Sequence, residues 1–232
     1  MRVTAEREGA GFVGGGVGLA TVGREAASLA PGVDLPRAAA AVRELLLAIG
    51  EDPDREGLIE TPRRVAKAFA EMTRGLREDA GVALGRVFEQ EAEEAVVLRG
   101  IEFHSLCEHH LLPFVGRAAV AYLPSGGKVV GLSKLARTVD TFARRPQMQE
   151  RMTQQIADAL SEHLQPRGVA VLVEGEHYCM KMRGVNKQGA TMVTTAFRGV
   201  FKHDPARRAE VLNQLQWSGV DSGARPACTC GH

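Results

Sequence analysis

Ile101-Glu102-Phe103-His104-Ser105-Leu106-Cys107-Glu108-His109-His110-Leu111-Leu112-Pro113 is the stretch from which the rest of the chain is read. It begins β-rich, as does Ala95-Val96-Val97-Leu98 on the other side of Gly100, and it ends in a thiol and two imidazoles within four residues. After Pro113 the run Gly116-Arg117-Ala118-Ala119-Val120-Ala121-Tyr122-Leu123-Pro124 reads as a second strand. Ser125 to Lys128 reads as a turn and Val129–Leu132 as a short third strand. Ser133 then suits an N-cap for a helix through Arg145, with Leu135, Val139 and Phe142 on its apolar face. Pro146 opens a second helix whose stripe is Met148, Met152, Ile156, Leu160 and Leu164. Val169–Glu174 is a strand running on toward Cys179, and Thr191–Phe201 is the last strand, followed by a helix from Pro205 to about Gln216.

Working outward to the N-terminus, helices are expected from Pro36 to about Gly50 and from Pro62, with Thr61 as N-cap and Gly75 closing the second. Helices, two strands, two helices, two strands and a terminal helix predict an α+β fold with an antiparallel sheet. Residues 1–33, rich in Gly and Ala, predict a flexible arm, 34–93 a helical region, 94–217 the sheet-bearing domain and 218–232 a disordered tail.

Cys107 and His110 are three apart, close enough to grip one metal ion from a single turn. Cys179, in His177-Tyr178-Cys179, is a third soft ligand. Zinc accepts thiolate and imidazole, and catalytic zinc keeps three protein ligands and one open position. Cys107, His110 and Cys179 are read as that trio, with His109 and His177 left for proton transfer near neutral pH. If the strand stays regular, His177 and Cys179 point to the same face. The rival reading is a structural zinc with no catalysis, closed by a fourth ligand from Cys228, Cys230 or His232.

Lys134 and Arg137 share a helix face, and Lys181 and Arg183 follow the second half of the metal motif. Cations beside a metal suit a phosphorylated substrate. Gln149 and Glu150 lie off the apolar stripe at a helix start, where a carboxylate is favoured by the helix dipole or contacts a ligand. Arg63 and Arg64 read as a solvated helix face. The residues by themselves predict a zinc hydrolase acting on a phosphorylated small molecule.

The 232 residues carry 44% hydrophobic and 25% charged side chains and a net charge of +1, which argues against nucleic acid as a partner. No apolar run approaches the roughly 18 residues of a membrane span, and the N-terminus has no apolar signal core, so the expected compartment is the cytoplasm. In that compartment the four cysteines read as thiols or metal ligands.

Cys107-Glu108-His109-His110, Gly131-Leu132-Ser133-Lys134-Leu135-Ala136-Arg137, Arg145 to Gln155 and His177-Tyr178-Cys179-Met180-Lys181-Met182-Arg183-Gly184 resemble GTP cyclohydrolase I, and Glu60–Val65 and Gly199–Lys202 are also similar. The resemblance covers roughly residues 36–217. It implies the tunnelling (T-fold) α+β architecture, a homodecamer of two stacked pentamers with active sites between subunits, and one zinc per subunit. It implies conversion of GTP to 7,8-dihydroneopterin triphosphate and formate, the first step toward folate or tetrahydrobiopterin. By matching motif, Cys107, His110 and Cys179 would bind zinc. His109 and His177 would transfer protons, His177 to the substrate's imidazole ring. Glu150, with Gln149 beside it, would hold the guanine edge. Ser133, Lys134, Arg137, Arg183 and Arg64 would hold ribose and triphosphate.

Overall fold

The computed structural model describes residues 32–85, 87–90 and 92–217. Most of the expected arm and all of the expected tail, with Cys228, Cys230 and His232, lie outside the described residues. The described residues from Asp34 to Trp217 belong to one compact unit.

Asp34 caps α1 (Leu35–Ala48) by accepting from the Arg37 N–H at 2.9 Å, and Gly50 adopts the left-handed φ of +86° that ends it. α2 (Thr61–Met72) has Pro62 in its first turn, but Thr61 is already helical and is not the cap; Glu60 precedes it and pairs with Arg63. α2 stops at Met72, short of Gly75, which lies buried in a 3₁₀ turn (Arg74–Arg77). α3 (Ala80–Leu84) and β1 (Val87–Glu89) follow within the expected helical region 34–93, so that region also contains a strand.

β2 (Val96–Cys107) joins the two β-rich segments into one strand. Its register shifts between Leu98 and Ile101, where Gly100 takes a φ of +71°, so the glycine marks a bulge and not a break. β3 (Pro113–Leu123) pairs antiparallel with β2, and β4 (Lys128–Val130) pairs antiparallel with β1 in a separate two-stranded sheet. The expected third strand is therefore shorter than Val129–Leu132. α4 (Leu132–Ala143) begins before Ser133, with Gly131 at the cap position and the Lys134 N–H on its carbonyl, so Ser133 is not the N-cap.

Pro146 does not open a helix. Pro146–Gln147 is β5, parallel to Leu106–Cys107 of β2, and this ladder holds the two residues extended until α5 (Gln149–Leu164) begins. β6 (Gly168–His177) is followed at once by α6 (Tyr178–Lys181), and β7 (Met192–Gly199) by α7 (Val200–His203). The last strand thus ends before Phe201, at Gly199, where φ is +57° and a Cβ would overlap the Arg167 carbonyl. Asp204 caps α8 (Pro205–Leu215), accepting from the Ala206 and Arg207 N–H groups.

The five-stranded sheet runs β5-β2-β3-β6-β7 and is antiparallel except for β5. Side chains alternate faces along a strand. On β3 and β6, Ala118, Val120, Tyr122, Val169, Val171 and Val173 pack under α4 and α5, while Ala119, Ala121, Leu123, Ala170 and Leu172 pack against Phe201 and α8. Helices cover both faces, which is why these two strands read as unbroken apolar runs. No helix among the described residues is long and apolar enough to cross a membrane.

Gly116 pairs with Gly175 near the His177 end of the β3–β6 ladder, where a Cβ would overlap the Glu174 carbonyl oxygen. Gly116→Ala is expected to lower the unfolding free energy by about 2 kcal/mol, on the scale of overpacked cores, read as a lower urea midpoint. Gly189→Ala, which meets nothing within 4 Å, is expected to leave the midpoint unchanged.

Candidate metal and catalytic site

Buried polar chemistry cannot sit in the middle of a sheet packed on both faces, and the candidate residues gather at one end of it. β2 ends at Cys107, and residues 108–112 turn back into β3. The turn is one helical loop: the Leu111 N–H donates to the Cys107 carbonyl at 2.8 Å, and the Cys107 N–H to the Leu112 carbonyl at 2.8 Å. Leu111 is held at a φ of +54°, an uncommon conformation for a branched side chain. Folding the turn this way puts residues three apart on one side, and Cys107 Sγ lies 4.0 Å from His110 Nδ1 and 3.9 Å from His109 Nδ1.

Cys179 reaches the same place by a route the sequence does not reveal. β6 ends at His177, and Cys179 sits in the helical turn α6, so strand alternation does not carry it there. The ligand atoms of Cys107, His110 and Cys179 all lie within 4.8 Å of one another. Two thiols and an imidazole at that spacing fit a soft or borderline metal ion. Burial and the neighbouring Cys107 thiol push the Cys179 pKa up, opposed by Arg183. A divalent cation reverses that balance by favouring both thiolates.

Around the trio, Arg183 Nη1 donates to His110 Nε2 at 2.7 Å. His177 stacks on Phe114, with centroids 4.5 Å apart and planes 4° from parallel, and its Nε2 lies 3.0 Å from Gln149 Oε1. Burial pushes the His177 pKa down, and the Glu150 carboxylate partly offsets this. Glu150 is exposed at the start of α5, whereas Gln149 beside it is 1% exposed and turned inward. Its amide nitrogen is committed to the Val173 and Met192 carbonyls and Thr194 Oγ1, so its side chain offers no free group toward solvent.

One chain thus assembles Cys107, His109, His110, Glu150, His177, Cys179 and Arg183, with Gln149 behind them. Ser133, Lys134 and Arg137 lie on α4 and Arg64 on α2, and their side chains form no hydrogen bond or ion pair with the trio. Three supporting residues escape the sequence reading. Phe114 becomes a ring partner because it pairs across the ladder with His177. Arg151 pairs with Glu108 of the metal turn, and its Nε donates to Gln147 Oε1 at 2.8 Å. Gln147, 1% exposed, binds the Phe142 carbonyl and Gln155 as well, and its own carbonyl takes the Glu108 N–H at 3.1 Å. Only the register between β2 and β5 brings these groups to the turn.

A sheet-end cluster that could hold a metal ion, flanked by histidines and a carboxylate, is an arrangement suited to a metal-dependent enzyme. Residues 38–216 match the GTP cyclohydrolase I family, and the chain belongs to that family. GTP cyclohydrolase 1 of Thermobifida fusca (strain YX) is 58% identical over 196 residues, covering 84% of this chain and 95% of its own. GTP cyclohydrolase 1 of Bacillus subtilis (strain 168) is 58% identical over 176 residues, covering 76% and 93%. Among solved structures, the apo form of an archaeosine synthase QueF-like protein aligns at a TM-score of 0.39 and 18% identity, over 47% of this chain and 97% of that one.

In the metal-free protein, the His177 imidazole is expected to titrate below the ordinary histidine value, and Glu150→Gln to lower the midpoint further, because the carboxylate that favours the imidazolium is gone. NMR of histidine-labelled protein against the His177→Ala spectrum checks this; a midpoint raised by Glu150→Gln would contradict it.

Proposed function

We propose that the chain converts GTP to 7,8-dihydroneopterin triphosphate and formate, with one zinc ion per subunit held by Cys107, His110 and Cys179. The observation that carries the reading is the convergence of these three ligand atoms within 4.8 Å, beside His177 and Glu150, in a chain of this family. Zinc there supplies the Lewis acidity that makes water nucleophilic near neutral pH. The chain's own residues do the rest. Glu150, exposed and aimed from the start of α5, accepts the N–H donors of the guanine edge. His177, kept neutral by burial, exchanges a proton with the imidazole ring of the substrate, and His109 serves the second transfer. Arg183, already at the rim of the trio, takes phosphate oxygens.

Ser133, Lys134, Arg137 and Arg64 complete the ribose and triphosphate contacts from another subunit of a homodecamer. Two features support this reading. The side chains of these residues do not bond to the trio within one chain, and β7 closes the sheet with an edge that has no strand beside it among the described residues. An open edge is a template for a second copy. The T-fold catalytic domain over 94–217, the helical region over 34–93 and a cytoplasmic setting are part of the same proposal.

Turnover of GTP, followed as dihydroneopterin triphosphate and formate, is expected to vanish on chelation and return with zinc. Cys107→Ala or Cys179→Ala is expected to lower kcat/KM by on the order of 10³-fold or more, the scale of losing metal-ion stabilisation. Zinc-loaded protein that binds GTP and releases no formate would overturn the reading. Light scattering should give a mass of about 250 kDa, ten chains of 24.9 kDa.

A further inference from the structure

We infer that Gln149 is a positioning residue that locks His177 as the Nε2–H tautomer, so that every proton His177 exchanges passes through Nδ1. The argument starts from the amide. Gln149 Nε2 faces the Val173 carbonyl at 3.1 Å, the Met192 carbonyl at 2.9 Å and Thr194 Oγ1 at 3.2 Å. Two of these partners can only accept, so the nitrogen must stand there and the amide cannot be flipped. The Thr194 hydroxyl is also spoken for. Thr153 gives its own proton to the Gln149 carbonyl at 2.7 Å, so the 2.7 Å contact between the two hydroxyls is donated by Thr194, which leaves its lone pair to the Gln149 amide.

With the nitrogen fixed, Oε1 must be the atom that meets His177 Nε2 at 3.0 Å. An amide oxygen only accepts, so Nε2 carries the hydrogen and Nδ1 is the basic nitrogen of the neutral ring. The cradle is built for this contact. Gly175 has no Cβ, and one placed there would stand 2.5 Å from Gln149 Oε1. Phe114, stacked on the ring face, holds its plane. When Nδ1 delivers its proton to the substrate the ring returns to the Nε2–H form, and when it takes one back the bond to Gln149 is still made, so no ring flip accompanies the cycle. A neutral amide, in place of the carboxylate that often backs a catalytic histidine, orients the ring without holding it as an imidazolium.

The catalytic part of this inference rests on the proposed reaction; the tautomer does not, and the two are tested separately. ¹⁵N NMR of histidine-labelled, zinc-loaded, unmutated protein should show His177 with a protonated Nε2 and a bare Nδ1. The opposite tautomer would overturn the inference whether or not GTP is turned over. Gln149→Met should lower kcat by about 10- to 100-fold, the range for residues that orient a metal-site side chain, with KM for GTP nearly unchanged. In a His177→Ala background the same substitution should cause no further loss. A raised KM, or losses that multiply in the double variant, would show that Gln149 contacts GTP directly and overturn the positioning role. If Gln149→Met does not assemble, the tautomer measured on the unmutated protein decides.

Discussion

Burial of β3 and β6 on both faces is the constraint from which the rest of the structure follows. Side chains on one face of these strands pack under α4 and α5, and those on the other pack against Phe201 and α8. Neither face has room for an unpaired polar group, since burial without a partner costs more than a hydrogen bond returns. The glycines Gly116 and Gly175 let the two backbones approach at the ladder's polar end. Chemistry is thereby confined to the end of the sheet, where β2 finishes in Cys107 and β6 in His177.

At that end, order comes from the short strand β5. Its two residues tie the C-terminus of β2 to the start of α5, so the metal turn and the residues Gln149 and Glu150 are placed by one piece of chain. Gln147 and the Glu108–Arg151 pair fasten the turn further. The ion pair is exposed and weak in itself. The buried amide of Gln147, with every polar atom bonded, is the stronger restraint.

The site is also electrostatically divided. Burial, together with the Cys107 thiol beside it, raises the pKa of Cys179, a cost that a bound cation would remove. A few residues away His177 is kept neutral by burial and given a neutral amide as its partner. Thiols whose ionisation a bound cation would favour and an imidazole disfavoured as a cation by burial thus stand side by side, each with a different neighbour.

What the sequence determined by itself is the main helices and long strands and the grouping of Cys107, His110 and Cys179. Apolar periodicity located α4, α5 and the strands, and Cys107, His110 and Cys179 are grouped in the structure as their residue types suggest. Pattern also carried the family, because several motifs recur in order. The tertiary structure decided what depends on register and on partners far along the chain. Pro146 lies in a strand because β2 is beside it, and Cys179 reaches the trio on a helical turn. Gln149 turns inward because two carbonyls of β6 and β7 await its amide. A local pattern records which residues are apolar and how they are spaced. It holds no record of which distant hydrogen-bond acceptor a buried side chain must satisfy, and that choice is made only when the strands align.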